Sequence, residues 1–272
     1  MASQFHKPEA NSLGRVLVAD VGNTKIKLAV AGMSPDVKMP MLSHHADLCS
    51  HSFRSEDLEA WLEKVPPGSD SFLIASVHDA AATRLESTIA KLSATLQQQR
   101  IVYHDLPLQM DLENPGSVGI DRVASAAAAN CFRHHLRAAI IVDCGTAITV
   151  DLVSQKGVFC GGAILPGPFL MAQSLAAGTS RLPDIFGIER SCPPVLPGRS
   201  TKEAIAAGIG WGIRGAVTTL VEEARKSLDV EADLFLTGGC RWSVIDCLPH
   251  AIEIPDLVLL GVSLTKFVKR TV

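Results

Sequence analysis

Two stretches of this chain repeat one hydrophobic pattern. At 17–19 an apolar strand runs into Asp20-Val21-Gly22-Asn23-Thr24, and a second apolar strand follows at 25–31. At 139–144 and 147–153 the pattern returns around Asp143-Cys144-Gly145-Thr146. Short apolar runs bounded by Gly and Asn read as strands joined by tight turns. Elsewhere the pattern predicts helices at 55–64, capped by Ser55, at 80–99 and at 122–132, with strands at 71–77 and 101–103. The second half repeats the plan: a strand at 158–164, helices near 168–177 and 201–227, a strand at 233–236 ending in Thr237-Gly238-Gly239, and a closing strand and helix over 251–270. Strands first and helices later, twice over, predicts an α/β fold with mixed sheets. We place residues 1–14 as a flexible N-terminal extension, and divide the rest into halves at 15–137 and 138–272.

Composition narrows the picture. At 272 residues the chain has room for two ordinary domains, and 47% hydrophobic residues supply a core. A net charge of −3 gives no reason to expect a nucleic-acid partner. Seven cysteines, an odd number with no Cys-x-x-Cys, read as reduced and mostly buried thiols of a cytosolic protein, with Cys144 pointing into the core. No signal peptide is visible. The apolar stretch 204–220 carries four glycines and Arg214, and reads as a soluble helix rather than a membrane span. Its Gly208, Gly212 and Gly215 share one face, which predicts close packing against another domain or a second copy.

An Asp-x-Gly-Thr turn suits phosphate: Gly lets the backbone approach, Thr adds donors, and Asp can hold a metal ion. Lys25 and Lys27, two apart on a strand, share a face; they add positive charge there or form a solvated pair. Asp143, at a strand end, is satisfied by turn N–H groups or by a cation. Asp121, at the start of helix 122–132, is a cap, a base, or both. Ser200 with Glu203 three residues on reads as a helix capping box around Thr201. Asp151 reads as a turn-side residue without chemistry. The histidine pairs 44/45 and 134/135 read as surface features.

Two Asp-x-Gly hairpins and a late Thr-Gly-Gly resemble the superfamily of actin, the heat-shock chaperone ATPases and sugar kinases. Asn114-Pro115 leading to Gly119-Ile120-Asp121-Arg122, then Gly161-Gly162-Ala163-Ile164-Leu165-Pro166-Gly167, Leu182-Pro183, and Gly198 through Thr201 to Gly208, narrow the resemblance. In this order they are similar to the type III pantothenate kinase family, which is related to the bvg accessory factors, over residues 15–265.

The resemblance implies two ribonuclease H-like, actin-like ATPase domains with mixed sheets flanked by helices. It implies ATP-dependent phosphorylation of pantothenate to 4′-phosphopantothenate, the first step of coenzyme A biosynthesis, in a cytoplasmic homodimer with the substrate site at the interface. The ligands it implies are pantothenate, ATP with a divalent cation such as Mg²⁺, and a monovalent cation, K⁺ or NH₄⁺; no nucleic acid or membrane is implied. It assigns Asp121 as the base, Asp20, Val21, Gly22, Asn23, Thr24, Lys25, Ile26, Lys27 and Thr146 to ATP, and Asp143 to the monovalent cation. Gly119, Ile120, Asp121, Arg122 and Thr201 fall to pantothenate, Arg122 suiting its carboxylate. The sequence departs from the family at Leu112, where a Tyr that helps bind substrate is common. Two other readings stand beside the kinase: a non-enzymatic accessory or regulatory protein of the same fold, and a kinase for another small hydroxyl substrate.

Overall fold

A computed structural model describes residues 14–34, 39–185 and 193–268. The proposed N-terminal extension, apart from Gly14, and Cys192 lie outside the described residues. The chain divides into two compact units that are not contiguous in sequence. One holds residues up to Pro107 with Val118–Ala128 and everything from Val258; the other holds Leu108–Ser117 and Ala129–Leu257. A linear division at 137/138 therefore places 108–117 and the last helix in different halves from those the contacts give them.

In the first unit β1 (Arg15–Val21) and β2 (Lys25–Gly32) form an antiparallel hairpin. Then come β3 (Met41–Cys49), α1 (Ser55–Leu62), β4 (Ser69–Ser76), α2 (Asp79–Leu92) and β5 (Gln97–Arg100). The sheet order is β3-β2-β1-β4-β5, with β1, β2 and β3 antiparallel and β4 and β5 parallel to β1. β1 is apolar on both faces because it is central: Val16 and Val18 are as buried as Leu17 and Ala19. Leu17, Ile26, Leu28, Phe72 and Ile74 pack under Leu58, Trp61, Leu85 and Ile89 of the two helices. Each such side chain contributes about 1.5–3 kcal/mol by leaving water.

The second unit holds the short β6 (Gln109–Met110) and, after α3 (Ile120–Phe132), whose start belongs to the first unit, β7 (Ala138–Cys144), β8 (Ala147–Val153) and β9 (Val158–Pro166). Then come α4 (Pro168–Gly178), α5 (Thr201–Lys226), β10 (Ala232–Thr237) and β11 (Ile252–Glu253), and α6 (Leu257–Phe267) returns to the first unit. The sheet order is β11-β10-β7-β8-β9-β6. Without β6 it repeats the first sheet, strand for strand and sense for sense. α5 buries Ile205, Ile209, Ile213, Val217 and Val221, each four residues after the last, in one cluster with Ile140, Val142 and Ile148. By length and hydropathy α5 would also pass as a membrane span, but this buried stripe accounts for its apolar residues.

Six expectations change. β3 was not expected, because an edge strand reading Met-Leu-Ser-His-His-Ala-Asp-Leu-Cys buries only Leu48 and carries no alternation. The helix expected over 80–99 stops at Leu92, and its tail becomes β5, held by Arg100 against Glu86 (2.5 Å) and Asp79 (3.0 Å). The strand expected at 101–103 reduces to one further ladder bond from the Ile101 N–H to Ile74, and a 3₁₀ turn begins at Tyr103. The cap of α1 is Arg54 rather than Ser55. Asp151 is not turn-side but buried within β8, opposite Gly162. Cys144 points into the core as expected, but Cys49, Cys131 and Cys160 are exposed, so the described thiols are not mostly buried. Both histidine pairs are exposed.

Candidate active site

The first hairpin turn places Asn23, Thr24 and Lys25 at the surface, between the half-buried Asp20 and Gly22 and the buried Val21 and Ile26. It is closed by the Gly22 N–H donating to the Lys25 carbonyl at 3.0 Å. Asp20 stands opposite Lys27, and Lys27 opposite Asp47 on β3, so the three side chains share one face of the sheet. Lys25 reaches Asp47 at 2.9 Å, both side chains being exposed. The two lysines are therefore a partly paired set rather than a simple solvated pair. An exposed pair of this kind contributes about 0–1 kcal/mol, so it leaves Lys25 available to a phosphate.

The turn has supports that no motif announced. Ser50, 1% exposed, donates from Oγ to the Gly22 carbonyl (2.7 Å) and from its N–H to the Thr24 carbonyl (3.1 Å). Its own carbonyl accepts from Arg84, which also donates to the His51 carbonyl (3.0 Å) and lies 4.5 Å over the Phe53 ring. Ser50 escaped sequence reasoning because it follows an edge strand that itself carried no pattern.

In the same unit α3 begins at Ile120, with Asp121 in its first turn. α3 starts two residues before the expected 122, so Asp121 lies inside its first turn rather than at the N-cap; its Oδ1 accepts from the next N–H, that of Arg122 (2.8 Å), and its charge suits a helix N-terminus. Burial raises the Asp121 pKa above the ordinary carboxylate value, while the Arg122 N–H and the Arg122 charge pull it down. A carboxylate so placed is more basic than a free one. Gly119 keeps it there: a Cβ on Gly119 would fall 2.5 Å from Asp121 Oδ1 and 3.5 Å from Val77. Ile120 is buried, and Arg122 is half-buried on the turn.

The second unit carries the second hairpin. Gly145 donates to the Ala147 carbonyl at 2.9 Å, and Thr146 is exposed at the tip. Asp143, half-buried and next to last in β7, lies between Thr149 of β8 and Thr237 of β10. The positive-φ Gly238 lies against its carboxylate, where a Cβ would sit 2.5 Å from Asp143 Oδ1. Directly across from Asp143, Thr149 Oγ1 is buried with no hydrogen-bond partner among the described residues. A carboxylate and an orphaned hydroxyl on one face are the oxygen donors that a hard monovalent cation takes.

Thr201 is the exposed first residue of α5. Ser200 caps the helix by accepting from the Glu203 N–H (3.2 Å), but the Glu203 carboxylate takes the Arg199 N–H (2.5 Å) in place of that of Ser200. The reciprocal box is therefore shifted by one residue. Leu112 rests on Gly161, 3.2 Å from the position of a Cβ there, and so forms an apolar wall. Of the two packings expected at Gly208, Gly212 and Gly215, the one within this chain is not found among the described residues: all three are exposed, and a Cβ at each would meet nothing within 4 Å.

Asp20 to Lys27 and Gly119 to Arg122 thus belong to one unit, and Asp143, Thr146 and Thr201 to the other. Residues 16–223 match the family model described as type III pantothenate kinase. A type III pantothenate kinase of Rhodopirellula baltica is 35% identical over 262 residues, covering 88% of this chain and 94% of its own. Among solved structures, a propionate kinase from Francisella tularensis aligns with a TM-score of 0.56 at 12% identity, over 93% of this chain and 99% of its own. A putative Baf family transcriptional activator from Campylobacter jejuni aligns at 0.53 and 20% identity, over 92% and 96%. At these identities the structural likenesses speak for the shared fold of two actin-like units.

Proposed function

This chain belongs to the type III pantothenate kinase family, and we propose that its two hairpins and the start of α3 carry out that family's reaction. The reaction is transfer of the ATP γ-phosphoryl group to pantothenate, giving 4′-phosphopantothenate and ADP, the first step of coenzyme A synthesis. The observation that carries the reading is one match spanning both Asp-x-Gly hairpins and Gly119–Arg122 in the expected order.

Phosphoryl transfer asks a protein mainly to align and to neutralise charge. The primary hydroxyl of pantothenate attacks the γ-phosphorus, its O–H proton passes to the Asp121 carboxylate, and the bond to the ADP oxygen breaks. The raised basicity of Asp121 suits it to that proton. Arg122 offers a bidentate partner to the pantothenate carboxylate. Gly119 and Ile120 line the same side, and Thr201 adds a hydroxyl at the α5 terminus. On the nucleotide side, Asn23 and Thr24 present donors to the phosphates, Lys25 and Lys27 add charge, and Thr146 contacts ATP from the second turn. Asp20 would hold a divalent cation, probed first as magnesium, which supplies charge neutralisation at the phosphates. Asp143 with Thr149 fits potassium or ammonium through oxygen donors alone.

A homodimer with the substrate site at its interface is supported by the exposed stripe Gly208, Trp211, Gly212 and Gly215 on α5, with Ile164 on β9 and Phe169 on α4 also exposed. A Cβ at any of these three glycines would meet nothing within 4 Å among the described residues. The setting we propose is the cytoplasm, with no nucleic-acid or membrane partner.

The test is ADP release by the purified protein with ATP, magnesium and potassium, with and without pantothenate, and the mass of the product. Pantothenate-dependent ADP and 4′-phosphopantothenate are expected. Turnover only with another hydroxyl acceptor would point to a changed substrate at Leu112, and no turnover from folded protein to the accessory role.

A further inference from the structure

In each unit the third strand ends beside the turn that joins the first two. The N–H of Gly167, just after β9, donates to the Thr146 carbonyl at 2.9 Å; the N–H of Ser50, just after β3, donates to the Thr24 carbonyl at 3.1 Å. The same hydrogen bond thus reaches the same turn position in both units. The side chains differ. Gly167 has no room for one, since a Cβ would fall on the Gly145 and Thr146 carbonyls. Ser50 is buried and spends its hydroxyl on the Gly22 carbonyl, 2.7 Å away. One residue therefore holds two carbonyls of the first turn.

A trans peptide is planar, with its C=O and N–H on opposite sides. Holding the Gly22 carbonyl toward Ser50 turns the Asn23 N–H away from Ser50. Holding the Thr24 carbonyl does the same for the Lys25 N–H. Fixed amide donors of this kind form an anion cradle. Ser50 is itself held, because Arg84 grips its carbonyl from α2 while stacking on Phe53. The chain of support runs from helix to strand end to turn.

We propose that Ser50 is a positioning residue for the ATP phosphates, with Arg84 as its anchor. Ser50 touches no substrate; it sets the donors that do. The proposal rests on the reading of the first hairpin as the phosphate site.

The experiment uses initial rates of full-length Ser50→Ala, varying ATP at saturating pantothenate and then the reverse, with ADP binding by calorimetry. Loss of one buried hydrogen bond predicts a rise of about tenfold in KM for ATP and in the Kd for ADP. The KM for pantothenate stays at its wild-type value. Ser50→Thr, which keeps the hydroxyl, brings KM for ATP back toward wild type. An unchanged KM for ATP overturns the proposal, and so do equal rises in both KM values, which mark a merely structural role. Should Ser50→Ala prove insoluble, Arg84→Lys reads the same split, with a smaller rise of about threefold. Asn23→Ala acts on the turn itself and separates the two levels. If Asn23→Ala raises KM for ATP and the Ser50 and Arg84 variants do not, the turn binds nucleotide and the Ser50 proposal fails. If none of them does, the phosphate reading of the turn has failed.

Discussion

Asp121 combines two duties that sequence alone presents as rivals. Its carboxylate takes the Arg122 N–H within the first turn of α3 and is more basic than a free one because of burial. Asp121→Asn keeps an acceptor for the Arg122 N–H and is expected to fold. It should lose about 10²–10⁴ in kcat, and a folded variant with near-normal turnover would defeat the assignment. The raised pKa also has a sign. The folded state favours the protonated acid, so the stability this group contributes is present at low pH and is lost as pH rises through its folded value. Asp121→Asn should therefore match or exceed the wild-type Tm at neutral pH. For the same reason the acid limb of kcat/KM against pH should lie above the ordinary carboxylate range, about 4; a limb at or below that range would argue against Asp121 as the group that titrates. Gly119→Ala should act through Asp121 rather than on the fold. The methyl meets the flexible end of a carboxylate, so Tm should change little while kcat falls. Across the second hairpin, Thr149→Val removes the orphaned hydroxyl at constant shape. It should raise the potassium concentration needed for half-activation, and exchange of potassium for sodium should depress the wild-type rate; equal rates in the two salts would leave Asp143 and Thr149 without a cation.

At the scale of elements, the central strands were legible and the edges were not. β1, β2, β7 and β8 carry long apolar runs because both of their faces, or all of one, are buried. β3 and β5 lie at sheet edges, where their order comes from neighbours: Trp61 Nε1 holds the His44 carbonyl (2.6 Å), and Arg100 ties β5 to α2. Trp61→Phe keeps most of the buried ring and loses that hydrogen bond, so a stability loss of about 1 kcal/mol is expected in denaturant unfolding. α5 was legible in type and extent, but its glycines were assigned to packing that the described residues do not supply. A helix face carries the same pattern whether it is covered by the same chain or by another.

At the scale of the whole molecule, the exposed face of α5 bears on assembly. Gly212→Glu improves helix propensity and adds a charge to that face, so the single chain should remain folded. If the proposed dimer forms there, light scattering should show a shift from twice 28.9 kDa toward one chain, with loss of turnover. A fully active monomer would refute a site at the interface. The internal repeat, the family and the order of its motifs could all be read from residues alone, because each turn carries Asp, then Gly two residues on, then a nearby Thr between two apolar strands. Local chemistry of that kind is written in consecutive residues. Tertiary structure alone decided that Ser50 and Arg84 brace the first turn, that Thr149 faces Asp143, that α6 joins the first unit, and that Asp151 is buried. Each of these depends on strand register or on contacts between residues distant in sequence, and no spacing along one chain encodes which neighbours a sheet will bring together.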